Sequence, residues 1–240
     1  MSWTYGIHAV ETLLNGTPDV VEEVWLVKSR KPGAARERIR VVAQERGVRF
    51  RMVDDGQLRR AVGDVVHQGV AARTSEFRYA EPEALLEGDG ARLILALDGV
   101  QDPHNLGAIV RTAAGLGVAG VVIPKHRAVG VTPTVRKVAT GAEQRVPIAR
   151  VTNMARFLED ASSAGYWRYA AVVGAGVPLA QAGFADRAVI VVGSEAKGVR
   201  PNVVSKCDAQ VTLEMASVES LNVSVAAGIF AWEWARAHGG

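Results

Sequence analysis

The chain reads as an α/β protein of two units, the larger built on a parallel sheet with helices on both faces. Three observations predict this. Strand-like and helix-like patterns alternate through most of the 240 residues, the order that yields sheets covered by helices. Two strand signals, Leu93 to Leu97 and Ala188 to Val192, are unbroken apolar runs, which suit strands buried on both faces of a parallel sheet. Ahead of them lies an acidic, aperiodic stretch, SEFRYAEPEALLEGDG at 75–90, with the proline and late glycines of a linker. The expected organisation is a small α/β domain at 1–75, a linker at 76–90 and a second α/β domain at 91–240.

In the first domain, a helix from Ile7 to Leu14 stops at Asn15-Gly16, a sound termination signal. A strand follows from Val20 to Val27, then a basic helix from Ala34 to Arg46 closed by Gly47, and a strand from Val48 to Val53. Asp54-Asp55-Gly56 starts a helix through Leu58 and Val62, and Val70 to Ala72 is a short last strand. In the second domain, the strand at Leu93 leads to a helix from Leu106 to Leu116 and a strand from Gly120 to Ile123. A helix from Thr132 to Ala142 has Pro133 in its first turn, where a missing N–H costs nothing. Asn153 caps a helix to Ala164, and strands follow at Tyr169–Val173, Ala188–Val192 and Val211–Leu213. At the end, Val223, Ala227, Phe230, Ala231 and Trp234 recur at three- and four-residue spacing, the mark of a helix packed on a core.

With 48% hydrophobic and 22% charged residues, the composition is that of a globular protein with a real core. No apolar run reaches a membrane span and residues 1–15 lack a signal peptide's pattern, so a cytoplasmic protein without a membrane partner is expected. Cys207 is the single cysteine; it excludes disulfides within the chain and cysteine-based zinc sites, and reads as a packed thiol. The five histidines show no ligand spacing, and no metal is expected. Net charge is only +3, but Lys28, Arg30, Lys31, Arg36, Arg38, Arg40, Arg46, Arg49 and Arg51 face only Glu37 and Glu45, +7 in one stretch. A solvated helix face normally mixes both signs. The run therefore reads as a nucleic-acid footprint, with Lys28, Arg30, Lys31, Arg36 and Arg40 as its leading contacts.

Three loops follow predicted strand ends, where open parallel sheets bind ligands. The first, Asp98 to Gly107, runs into a helix carrying Arg111; with Asn105 as the cap, both side chains reach the loop side. A capped helix with a solvated arginine is the plainer alternative. The second, Val192 to Arg200, holds Gly193, Glu195 and Gly198, but neither the phosphate-loop nor the dinucleotide glycine spacing. The third, Glu219 to Ser224, puts Ser220, Asn222 and Ser224 at a helix start, where N–H groups are unpaired and the dipole is positive. Capping needs one such residue, and the surplus points to a site. No Ser-His-Asp set or paired carboxylates compete with these loops. Their amides, glutamate and arginine suit positioning a ligand beside a phosphate better than hydrolysis.

LDGVQDPHNLGAIVRTA, VIVVGSEAKGV and ESLNVSVA resemble, in order and spacing, the three signature motifs of the SpoU (TrmH-like) branch of the SPOUT RNA ribose 2′-O-methyltransferases. The likeness covers about Leu93 to Arg236. Residues 5–11, YGIHAVE, resemble the start of the substrate-binding domain that precedes it in family members. The nearest likeness is to members that methylate a guanosine in the peptidyl-transferase P loop of 23S rRNA. A tRNA ribose methyltransferase of the same family and a catalytically silent RNA-binding or ribosome-assembly factor are the alternatives. The resemblance implies S-adenosylmethionine as cofactor, a homodimer, a C-terminal deep trefoil knot and an N-terminal domain like ribosomal protein L30. It carries catalytic roles onto Asn105, Arg111, Glu195, Ser220 and Asn222. Gly193, Leu213 and Leu221, with Val192 and Gly198 beside them, would cradle the cofactor. One departure is Leu213 to Ser217, LEMAS, where the family usually reads I-P-M-x-G.

Overall fold

The computed structural model describes residues 2–29, 33–194, 197–218 and 220–239, the side chain of Ser2 excepted. Two compact units emerge, Met1–Arg78 and Tyr79–Gly240. In the first, β1 (Ser2–Tyr5), α1 (Ile7–Gly16), β2 (Val21–Val27), α2 (Ala34–Glu45), β3 (Phe50–Val53), α3 (Asp55–Val62) and β4 (Val70–Thr74) follow in order. The sheet runs β1-β4-β2-β3. Strands β2 and β3 are parallel, joined through α2, and β4 is antiparallel to both β1 and β2. Leu13 and Leu14 of α1 and Ile39 and Ala43 of α2 share one core with Val24, Leu26, Val70 and Ala72. Leu58 of α3 packs with Val53 and Ala71 in another. Asp54 starts α3 through a reciprocal capping box, accepting from Gln57 N at 2.7 Å while Gln57 Oε1 accepts from Asp54 N at 3.0 Å, so two orphan donors are met at once.

The second unit comprises α4 (Pro82–Leu86), β5 (Arg92–Asp98), α5 (Pro103–Gly115), β6 (Gly120–Pro124), α6 (Pro133–Ala139), β7 (Ile148–Val151), α7 (Met154–Ser163), β8 (Trp167–Val172), β9 (Val177–Pro178), β10 (Arg187–Gly193), α8 (Pro201–Val204), β11 (Ala209–Thr212) and α9 (Val223–Ala237). Its seven strands are all parallel in the order β7-β6-β5-β10-β8-β11-β9. The two apolar runs pair at the centre, Arg187 to Gly193 against Arg92 to Asp98, and are buried on both faces as their composition demands. Helix α7 joins Leu85, Tyr166 and Val203 in one core, while α5 packs against α6 and α9.

Several boundaries differ from the sequence reading. The stretch read as a linker enters the second unit at Tyr79: Ala80 bridges Ala149 and Leu85 is 2% exposed. Its acidic surface residues hid one apolar anchor. Helix α5 starts three residues early, because Asp102 is its cap and accepts from His104 N at 2.8 Å. Asn105 is therefore not the cap but a buried residue of the first turn. Helix α6 ends at Ala139, where Thr140 turns left-handed at φ 53°, a conformation that stops a helix. Strands β1, β7 and β9 and helix α8 were not anticipated; each is at most four residues long, too short for a periodic signal.

Candidate active site

The carboxyl ends of β5, β10, β8 and β11 bring three loops together. A cavity of about 450 Å³ opens there, lined by Val172, Val192, Gly193, Ser194, Gly198, Val199, Leu213, Ser220, Leu221, Val223 and Phe230 among others. All five residues expected to cradle a cofactor thus line one cavity, together with Ser220. Its walls are backbone and compact apolar side chains, the setting of a small-molecule site. At Gly193 a β-carbon would fall inside the backbone of Gly198 and Val199, so only glycine lets the chain fold back so closely. Gly198 N donates to Ser194 O at 2.8 Å and closes the turn.

Asn105 and Asn222, 117 residues apart, meet in a hydrogen bond: Asn222 Nδ2 donates to Asn105 Oδ1 at 3.1 Å. Asn222 is also the cap of α9, its Oδ1 accepting from Ser224 N at 2.9 Å and Ser224 Oγ at 2.6 Å. One side chain thus closes the third loop, starts the last helix and fixes the first-turn amide of α5. Arg111 lies on α5 with an exposed side chain and forms no ion pair among the described residues. Glu195 and Glu219 lie outside the described residues.

One site element escaped the sequence reading. Asp98, 2% exposed at the end of β5, receives Arg200 through the backbone N at 2.9 Å, Nε at 2.9 Å and Nη2 at 2.6 Å. This ties the β5 end to the far end of the second loop. The hydrogen bonds that Arg200 donates to the Asp98 carboxylate raise the Arg200 pKa above its ordinary value, with burial opposing. An acid directly after an apolar run was the available signal. Under α5, Arg136 and Glu143 are both buried; desolvation lowers the Arg136 pKa and the charge of Glu143 opposes it.

The expected RNA contacts belong to the first unit. Lys28 is exposed. Arg36 is half-buried and donates to Val27 O at 3.5 Å. Arg40 is held by Glu37, Nη2 to Oε1 at 2.6 Å, and lies 5.9 Å from the Phe50 ring centroid. Arg30 and Lys31 lie outside the described residues. Cys207 is a partly buried thiol that donates to Val203 O at 3.5 Å, its pKa pushed up to about 12 chiefly by burial.

A family model described as the SpoU rRNA Methylase family matches residues 92–232, and one described as RNA 2′-O ribose methyltransferase substrate binding matches 3–80. The 23S rRNA (guanosine-2′-O-)-methyltransferase RlmB of Nitrosomonas europaea is 40% identical over 239 residues, 98% of this chain and 92% of that protein. RlmB of Pseudomonas aeruginosa is 42% identical over 240 residues, 97% of this chain and 95% of that one. Among solved structures, the A. aeolicus TrmH/SpoU tRNA modifying enzyme is 29% identical with a TM-score of 0.56, covering 65% of this chain and 79% of its own. An AdoMet-bound rRNA methyltransferase from Sinorhizobium meliloti shares the fold at 23% identity and TM-score 0.66, covering 98% of this chain and 87% of its own.

Proposed function

The chain belongs to the SpoU rRNA methylase family, and on that premise we propose that it methylates the ribose 2′-hydroxyl of a guanosine in 23S rRNA. The observation that carries the reading is the Asn105–Asn222 hydrogen bond beside the cavity, which joins the first and third loops into one site. Full-length likeness to enzymes named for 23S rRNA supports the substrate, whereas the tRNA enzyme matches only part of the chain.

The cavity fits S-adenosylmethionine. Leu213, Leu221, Val223 and Phe230 offer apolar walls for a purine ring, and the Gly193–Gly198 backbone presents hydrogen-bonding groups where a side chain could not fit. When bound, the cofactor supplies an electrophilic methyl group. The protein's own task is to bring the 2′-hydroxyl into line and ease loss of its proton. Arg111, exposed and unpaired among the described residues, contacts the target's phosphate and orients the hydroxyl. A guanidinium is a poor general base, so Arg111 acts by orientation and charge. Asn105 and Asn222 fix the loops around it, and Ser220 borders the cavity. Glu195, given a catalytic role by the family resemblance, lies outside the described residues.

The same reading assigns RNA affinity to the first unit, an L30-like substrate-binding domain whose match over 3–80 supports it. The basic run from Lys28 to Arg51 gives sequence-blind, salt-sensitive attraction. It also assigns a trefoil knot to the chain beyond β10 and a homodimer to the enzyme. Exposed Val225 and Trp232, 49% and 58% accessible and seven residues apart on α9, support a partner on that helix face.

The test is transfer of labelled methyl from S-adenosylmethionine to 23S rRNA and, separately, to bulk tRNA. Label recovered as 2′-O-methylguanosine in rRNA and lost with Arg111→Ala is the expected result. Label in tRNA alone would overturn the substrate, and no label with intact cofactor binding would overturn the activity.

A further inference from the structure

A second positive surface sits beside the site, on the loop after β6. It reads Lys125-His126-Arg127-Ala128-Val129-Gly130-Val131, without an acid, and its first three side chains are all exposed. Neither Lys125 nor Arg127 forms an ion pair among the described residues. The loop is nevertheless rigidly mounted. Arg150 Nη2 donates to Lys125 O at 2.6 Å at its start, Val129 N donates to Val100 O at 3.0 Å in its middle, and Val131 N donates to Tyr79 Oη at 2.8 Å at its end. Arg150 in turn lies 5.2 Å from the Tyr79 ring centroid. At the tip Arg127 adopts φ 58°, a left-handed conformation that an L-residue without a special reason avoids.

Gly99 lies between this loop and the cavity. A β-carbon there would stand 3.8 Å from Arg127 O and 3.9 Å from Ser194 Cβ, and Ser194 lines the cavity. The backbone of Arg127 is therefore one residue removed from the wall of the cavity, on the β5–β6 side, and Lys125 at the start of the loop borders the next cleft along, with Arg150, Arg156, Glu81, Glu83 and Asp160, while the cofactor residues lie on the β10–β11 side. A strained, braced loop that holds unpaired cations at the edge of a site is preorganised for anions.

We propose that Lys125 and Arg127 bind RNA phosphates flanking the target nucleotide, holding the strand across the mouth of the cavity. This rests on the RNA methyltransferase reading above and adds a contact surface on the catalytic unit itself. The cations bind rather than react, so their loss acts on substrate affinity and not on the chemical step. Phosphate contacts position a strand without reading its bases, so the loop fixes where the ribose lies and leaves the choice of nucleotide to other residues.

The experiment uses the full chain with Lys125→Gln, Arg127→Gln and the double substitution, plus Arg127→Gly and Arg127→Lys. Methyl transfer to 23S rRNA gives KM and kcat, fluorescence anisotropy with a labelled rRNA fragment gives direct binding, and calorimetry gives S-adenosylmethionine affinity. The double variant is expected to raise KM and the RNA Kd about tenfold or more, and to flatten the salt slope by about 1.4 for two contacts on single-stranded RNA. Its kcat and cofactor Kd should stay within about twofold of the parent. Arg127→Gly relieves the backbone and removes the charge, so a more stable protein with weaker RNA binding is expected, and Arg127→Lys should restore most of the affinity. An unchanged RNA Kd and salt slope would overturn the proposal, as would a joint loss of kcat and cofactor affinity, which would make the loop a brace. Absent methyl transfer in the parent with salt-sensitive RNA binding still lost in the double variant would refute the enzymatic reading and keep the loop.

Discussion

Gly193→Ala isolates the feature that shapes the cavity. Gly193 ends β10, and its missing β-carbon makes room for the backbone of Gly198 and Val199. The added methyl needs carbon contacts near 3.5 Å, so the returning chain must shift by about an ångström or more. That shift strains the Gly198 N to Ser194 O hydrogen bond and moves Val199 and Ser194, which line the cavity. One lost hydrogen bond and an overpacked contact together cost about 2–3 kcal/mol, or roughly 30- to 150-fold in cofactor affinity if borne by the bound state. Gly198→Ala is the matched contrast: its φ of 63° is left-handed, with nothing within 4 Å of a β-carbon, so it costs only the conformational penalty of about 1–2 kcal/mol. Calorimetric titration with S-adenosylmethionine and thermal unfolding of both variants provide the assay. Gly193→Ala binding within about threefold of the parent, with unchanged stability, would refute the reasoning.

Other outcomes follow from the same geometry. Arg200→Ala leaves the Asp98 carboxylate buried with only a backbone donor, and because Arg200 is itself 46% exposed the cost is set at about 2–3 kcal/mol, below the range for fully buried pairs. A fall in Tm of about 5–10 °C is expected for a unit of this size, partly recovered in Asp98→Asn/Arg200→Ala; no fall would show the pair to be ornamental. Asn222→Ala should destabilise the fold by about 1 kcal/mol through its lost cap and reduce kcat far more than that, and methyl transfer at parental rate would contradict its bridging role. Cys207, its pKa pushed up to about 12, stays protonated at pH 8.5. Iodoacetamide should label it at least ~100-fold faster in urea than in the native state, since the thiolate is the nucleophile, and equal rates would mean the thiol is open.

The sequence disclosed the central architecture because its strongest signals coincide with its deepest burial. Leu93–Leu97 and Ala188–Val192 are apolar without a break, and they pair side by side at the middle of the sheet. Peripheral pieces were illegible for the same reason: β1, β7 and β9 lean on neighbours for their existence, and no local pattern announces them. The surplus polarity before Val223 reads as a site, and in the structure Asn222 serves two elements at once, as the cap of α9 and as a bridge to Asn105. What could not be read was partnership. Nothing local links Asp98 to Arg200 or Asn105 to Asn222, since those contacts exist only after the strand order is fixed. The cap of α5 went to the wrong residue because Asp102 and Asn105 are both good caps, and burial, invisible in sequence, decided between them.

The span of the Asn105–Asn222 bond has a consequence for the life of the molecule. Contacts between residues so far apart in the chain form late, after the closure entropy of the intervening loop has been met. During synthesis β5 and α5 emerge long before α9, so the first half of the site waits for a cap that has not yet been made. A chain that still lacks α9 and its cap has no Asn222 to meet Asn105, so the first and third loops are not yet joined. The Asn105–Asn222 bridge is therefore complete only once the last helix has docked.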